Sequence, residues 1–146
     1  MTPSTLVRAA AQVALGGALL GAGTSHLTVA REEFRAQVPS WFPADADDVV
    51  VASGVAELAL GAALVVTWRQ PARAWVGLAA GAFFVAIFPG NIAQWAEGKD
   101  GFGLDTDTKR AVRLLFQPVL VAWALAAGDV GRTLLRPALE RRRARR

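Results

Sequence analysis

Cysteine is absent from the 146 residues, which excludes disulfides, thiol redox chemistry, iron–sulfur ligation and cysteine zinc sites. A single histidine excludes bis-histidine haem and multi-histidine metal sites within one chain, so no metal centre is expected. Charge is scarce: 19% of residues are charged, against about 25% in a soluble domain. Lysine is scarcer still, with 2 residues against 14 arginines, and together with abundant alanine, glycine and valine this suggests a high-GC bacterial genome.

The remaining charge is segregated. Long stretches carry almost none, and short stretches between them carry nearly all of it, as expected of a chain solvated in turn by lipid and by water. Four apolar stretches emerge, at about residues 5–23, 49–68, 74–95 and 111–128. Each is roughly 18 to 22 residues, the length a helix needs to cross about 30 Å of hydrocarbon. Lipid offers the backbone no hydrogen bonds, so the spans must be helices. The expected fold is an all-α integral membrane four-helix bundle formed by residues 1–131, followed by a basic tail at 132–146. Small residues at Gly17 and Gly21, Gly54 and Gly61, and Gly77 and Gly81 have the spacing that lets helices approach closely.

Basic residues set the orientation. With the N-terminus inside, the inner side holds Arg8, Arg69, Arg73 and the seven arginines from Arg132 to Arg146, against Asp129 and Glu140. The outer side holds five basic and nine acidic residues. The positive-inside rule then puts both termini in the cytoplasm and the protein in the cytoplasmic membrane. The tail follows an apolar span directly, so anionic lipid is its expected partner and nucleic acid is not. The connection Arg69-Gln70-Pro71 predicts a tight hairpin, and 97–108 an ordinary exposed loop. The connection 24–48 is different. A short amphipathic turn or helix is expected at 29–37, then an apolar loop at 38–43, with Trp41 and Phe42 beside Pro39 and Pro43, at the membrane interface.

The polar residues inside the spans carry the functional information. An ionised group near a bilayer centre costs about 2.5–3.5 kcal/mol on insertion scales, so such groups face the bundle interior and pair. In this topology Glu57 lies about nine residues, or about 13 Å, below the outer surface. His26, Asn91, Gln94, Arg113 and Gln117 fall in the same outer half. Ser53, Glu57 and Gly61 share one helix face, Asn91 and Gln94 a second, and Arg110, Arg113 and Gln117 a third. Pro89 and Pro118 sit beside these groups and free backbone carbonyls. One reading is a polar pocket roofed by the 38–43 loop, in which Glu57 pairs with Arg113. Glu57 and His26 are then the candidate catalytic or proton-handling groups, and Asn91, Gln94, Arg113, Gln117, Ser53 and Trp41 the candidate substrate-binding ones. The other reading is a structural network that joins helices and does no chemistry.

In chain order, Gly23-x-x-His26, Val38-Pro39 with Trp41-Phe42-Pro43, Ser53-Gly54-x-x-Glu57, Phe88-Pro89-x-Asn91 and Arg113-x-x-x-Gln117 resemble the motifs of the DoxX-like family of small four-helix membrane proteins. The resemblance implies a four-helix bundle in the cytoplasmic membrane. It implies no single activity: some relatives are associated with quinone-linked sulfur oxidation or oxidative-stress complexes. Without cysteine, a redox role needs a quinone in the pocket, or a membrane or peripheral redox partner. Three functions follow as expectations: a redox accessory protein that binds a quinone or other hydrophobic small molecule; a lipid-phase isomerase, cyclase or hydrolase using Glu57 as acid or base; or a non-catalytic helper. A homo-oligomer is compatible with each.

Overall fold

The computed structural model describes residues 3–144, and these are helical, with no strand among them. Four helical segments are long and apolar enough to cross a membrane: Thr5–Leu27, Ala46–Val66, Ala72–Ala96 and Asp107–Gly128. Their outward faces are apolar, with Val7, Val13, Val55, Val66, Val85 and Val119 all exposed. A water-soluble bundle turns polar residues outward; here the apolar exterior fits hydrocarbon, and the chain is built as a multi-pass membrane protein.

Helix α1 (Pro3–Leu27) continues one turn beyond the apolar run, so His26 lies inside its last turn. A short helix α2 (Arg31–Arg35) follows, inside the stretch where the sequence predicts one. Helix α3 (Ala46–Val66) starts at Asp45, whose side chain accepts from the Asp47 N–H. This replaces a missing helical bond at the first turn. Helix α4 (Ala72–Ala96) runs through Pro89 without interruption.

The fourth span is not one helix. It divides into α5 (Asp107–Leu114) and α6 (Phe116–Gly128) at Leu115. Pro118 has no N–H for the Leu114 carbonyl and its ring crowds that carbonyl, which explains a break at this place. Beyond α6, Asp129 adopts the left-handed conformation. The chain then forms a π-helical turn, Gly131–Leu135, and α7 (Arg136–Arg143). The tail is therefore helical where it is described; Arg145 and Arg146 lie outside the described residues.

Helix α1 packs chiefly on α3, and α4 chiefly on α6; α1 and α6 join the two pairs. The α1–α3 contact is set by two glycine pairs. A Cβ on Gly16 would meet the Gly61 carbonyl at 3.0 Å, and one on Gly23 the Gly54 carbonyl at 2.6 Å. The backbones therefore touch where side chains would otherwise hold them apart. Gly17 and Gly21, expected as contact residues, have nothing near them and face outward. They are one helical position away from the face that packs. Gly77 does pack closely, against Gly128 and Ala124.

Side chains also close the helix ends. Gln12, fully buried, donates from Nε2 to the carbonyls of Leu64 (2.5 Å) and Thr67 (2.8 Å), and so caps the C-terminus of α3. Arg73 donates to the Ala127 carbonyl at the end of α6. Arg8 and Asp129 pair at 3.3 Å, which brings the start of α1 beside the end of α6. Trp123 donates across the bundle to the Ala11 carbonyl at 2.9 Å.

A polar cavity under a tethered loop

The half of the bundle away from the Arg8–Asp129 pair encloses a cavity of about 630 Å³. All four spans and the 38–43 loop line it. Leu15, Leu19, Val50, Phe84 and Leu120 form apolar walls, and His26, Ser53, Glu57, Asn91, Arg113 and Gln117 place polar atoms among them. The α1–α3 glycine contact positions the first pair of these. Gly54 packs on His26 so closely that a Cβ at 54 would lie 2.7 Å from the histidine Cβ. One turn deeper on the same face, Glu57 brings Oε2 to 2.9 Å from His26 Nδ1.

That contact defines the imidazole. Nδ1 also lies 3.0 Å from the Ala22 carbonyl, which can only accept. Because that carbonyl only accepts, Nδ1 is the donor in the bond to Ala22, which leaves Nε2 as the ring's acceptor in the neutral imidazole. The single Nδ1–H is directed at the Ala22 carbonyl, so Glu57 Oε2 is in contact with the ring yet has no hydrogen-bond donor aimed at it. Both side chains are 7% exposed. Phe34 from α2 stacks on the ring at 3.3 Å between centroids, and Phe102 meets Phe34 edge-on.

On the opposite wall, Asn91 Nδ2 donates to Gln117 Oε1 at 3.0 Å, and Gln117 Nε2 donates to the Phe84 carbonyl. That carbonyl lies next to the one of Val85, which Pro89 leaves without its usual helical donor. Asn91 Oδ1 remains buried without a partner.

Arg113 lines the cavity but does not pair with Glu57, as the sequence suggested. Glu57 is on the α1–α3 side, where the closest titratable neighbour is His26. Arg113 forms no ion pair among the described residues, and its Nε is buried without a hydrogen-bond partner. Arg110 does not join Arg113 and Gln117 at the cavity either. Its guanidinium turns to Asp100, Asp107 and the Leu104 carbonyl, each within 2.9 Å. Gln94, though buried, is not among the lining residues, and its Nε2 lacks a partner. The i, i+3 offset from Asn91 carries it past the cavity wall.

The roof is the 38–43 loop, with Val38, Pro39, Trp41 and Phe42 over the cavity. Val38 is buried, whereas Trp41 is 67% exposed. The 97–108 connection is more than an exposed loop. Lys99 Nζ donates to the Val38 carbonyl at 2.8 Å, and Glu97 Oε1 accepts from the Ser40 N–H at 3.2 Å. The bonds to Lys99 and to the Ser40 N–H hold the Glu97 carboxyl below its ordinary pKa. Phe102 and Leu104 of this connection also line the cavity. Sequence reasoning missed them because their apolar character is not periodic. Gly90 lets α4 pass against the Gln37 carbonyl at the start of the roof.

Residues 15–128 match the family model described as Domain of unknown function (DUF8561). The chain belongs to this family. The matched stretch begins at the first cavity-lining residue, Leu15, and ends where α6 ends. It therefore contains every residue of the cavity and omits the basic tail. Neither a curated protein nor a solved structure matches the chain. No group of three or more metal-ligating side chains occurs among the described residues.

Proposed function

We propose that this DUF8561 protein binds a lipid-soluble small molecule in the four-helix cavity, a quinone or a molecule of similar build, as part of a membrane redox system. The observation that carries the reading is the combination of an apolar cavity, large enough for a ring and part of a tail, with unpartnered polar atoms at its walls. Pockets for small molecules have this composition: mostly apolar, with a few polar groups that fix the head. A quinone fits the polar atoms in both redox states. Arg113 offers donors to a carbonyl oxygen, while Asn91 Oδ1 and His26 Nε2 accept from quinol hydroxyls. The DoxX-like resemblance supports the same reading. Electrons would reach or leave the ring through a membrane or peripheral partner, since the chain has no thiols.

The basic residues support an orientation with both termini in the cytoplasm of a bacterial cell and the cavity in the outer leaflet of the cytoplasmic membrane. The 38–43 loop, with Trp41 and Phe42 exposed, then lies at the headgroup level. The test is decylubiquinone binding to the purified chain, followed through quenching of tryptophan fluorescence. Saturable quenching that is weakened in Arg113→Gln and in the cavity-filling Ala22→Phe supports the reading. Quenching that never saturates, or that is unchanged in both variants, overturns it.

The His26–Glu57 contact favours a second reading, a lipid-phase isomerase, cyclase or hydrolase. A carboxylate and an imidazole in contact at a cavity wall are a common acid–base pair. Turnover of a lipid-soluble substrate by the isolated chain, lost in Glu57→Gln, distinguishes this reading from simple binding.

A further inference from the structure

Among the described residues, Arg113 is the one arginine at its end of the bundle without a carboxylate. Arg31 pairs with Asp47, Arg35 with Glu32, and Arg110 with Asp100 and Asp107. Glu57, the only carboxylate among the lining residues, is held against His26. Arg113 is half-buried at the cavity wall, one turn from Gln117, with its Nε shielded and unbonded.

A guanidinium keeps its charge at any physiological pH, and within a membrane it faces the bundle interior or a cavity, pairs with opposite charge or backbone carbonyls, and marks a substrate or ion path. Among the described residues no carboxylate pairs with Arg113, which leaves that partner to be brought by a ligand. Resting on the ligand-binding reading above, we infer that the occupant carries an oxyanion head gripped by Arg113, on a hydrocarbon body that fills the apolar remainder. A carboxylate, the ionised ring hydroxyl of a hydroxyquinone and the phosphate of a membrane lipid share this chemistry. The paired N–H groups of a guanidinium match two oxygens of such a head. The neighbouring amides do not compete for it: Asn91 Nδ2 is occupied by Gln117, and Gln117 Nε2 by the Phe84 carbonyl. The body has a route out. Val49 of α3 and Ile87 and Ala86 of α4 line the seam between two helices that pack sparsely, and Ala86, Trp41 and Phe42 are exposed there.

The test compares cis-parinaric acid with its methyl ester, by probe fluorescence, on the full chain in dodecyl maltoside micelles. The acid is expected to bind at least tenfold more tightly than the ester. Arg113→Gln is expected to remove that preference, bringing the affinity for the acid down to that for the ester, and Arg113→Lys to retain part of it. Displacement of the acid by dioleoyl phosphatidic acid but not by oleate assigns the head to a lipid phosphate; displacement by oleate assigns it to a free carboxylate. Either result supports an oxyanion head. Equal affinities of acid and ester in the native chain, which needs no variant to fold, overturn the inference. If the ester and decylubiquinone bind as well as the acid, the cavity reading stands and the oxyanion head is excluded. If none of the three binds, both readings fall.

Discussion

His26 Nδ1 lies 2.9 Å from Glu57 Oε2, on two helices brought into contact by Gly23 and Gly54. Each partner covers the other in a site almost without solvent, so the two substitutions are coupled. His26→Phe preserves the stack on Phe34 but replaces the polar ring edge facing a buried carboxylate with an apolar one, at a cost of about 1–3 kcal/mol. Adding Glu57→Leu removes the stranded group and is expected to recover at least about 1 kcal/mol. Thermal unfolding of the four proteins in one detergent gives the coupling. Strictly additive losses would mean that the two groups do not interact.

The α1–α3 crossing makes a sharper prediction at the glycines. Gly23→Ala and Gly54→Ala push a methyl into a facing backbone or into His26, and each is expected to destabilise the bundle by about 1–3 kcal/mol. Gly17→Ala and Gly21→Ala meet open space, and are expected to be neutral or stabilising by a few tenths of about 1 kcal/mol, because alanine is the better helix former. Melting temperatures of the four single variants decide the matter. Equal losses at all four positions would contradict the assigned contact face.

Acid should loosen the roof. The Glu97 carboxyl titrates below its ordinary value because Lys99 and the Ser40 N–H bond to the ionised form. A carboxyl whose folded pKa is depressed contributes stability above its unfolded pKa and loses it as pH falls through the folded one. The protection factor of the Ser40 amide is therefore expected to drop as pH falls below the ordinary glutamate range, and to be low and insensitive to pH there in Glu97→Gln. An unchanged protection factor through acid would show that this tether does not hold the loop.

Most of this architecture is legible in the sequence, and the parts that are not share one cause. Apolar length alone gives four spans, and helical spacing gives Glu57, Asn91, Arg113 and Gln117 as inward-facing residues, because the bilayer penalises any other arrangement. Partner choice within the bundle is less legible. The nearest opposite charge to Glu57 in a depth count is Arg113, but the glycine contacts that fix α1 against α3 select His26 instead. Gly16 and Gly17 are equally plausible helix-contact residues on paper, and only the rotation of α1 separates them. The break at Leu115 is a local consequence of Pro118, and turns Arg110 toward the loop acids rather than the cavity.

Orientation is open to direct labelling, since the chain has no native cysteine to remove. Single cysteines at Thr106 and at Ala144 place one reporter at each end of the bundle. In intact cells a membrane-impermeant maleimide is expected to label the Thr106→Cys variant and to spare the Ala144→Cys variant until the membrane is broken. The reverse pattern would put the basic tail outside and the cavity in the inner leaflet.

The central claim is that the cavity between Arg113 and the His26–Glu57 pair holds a lipid-soluble molecule. The most direct measurement is mass spectrometry of small molecules released from the protein after purification from its membrane in mild detergent. The account predicts an oxygen-bearing, lipid-soluble compound in near-equimolar amount, greatly reduced in an Ala22→Phe, Arg113→Gln double variant that still folds. Recovery of only bulk detergent and bulk lipid from the native chain, or the same compound in the same amount from the double variant, would contradict it.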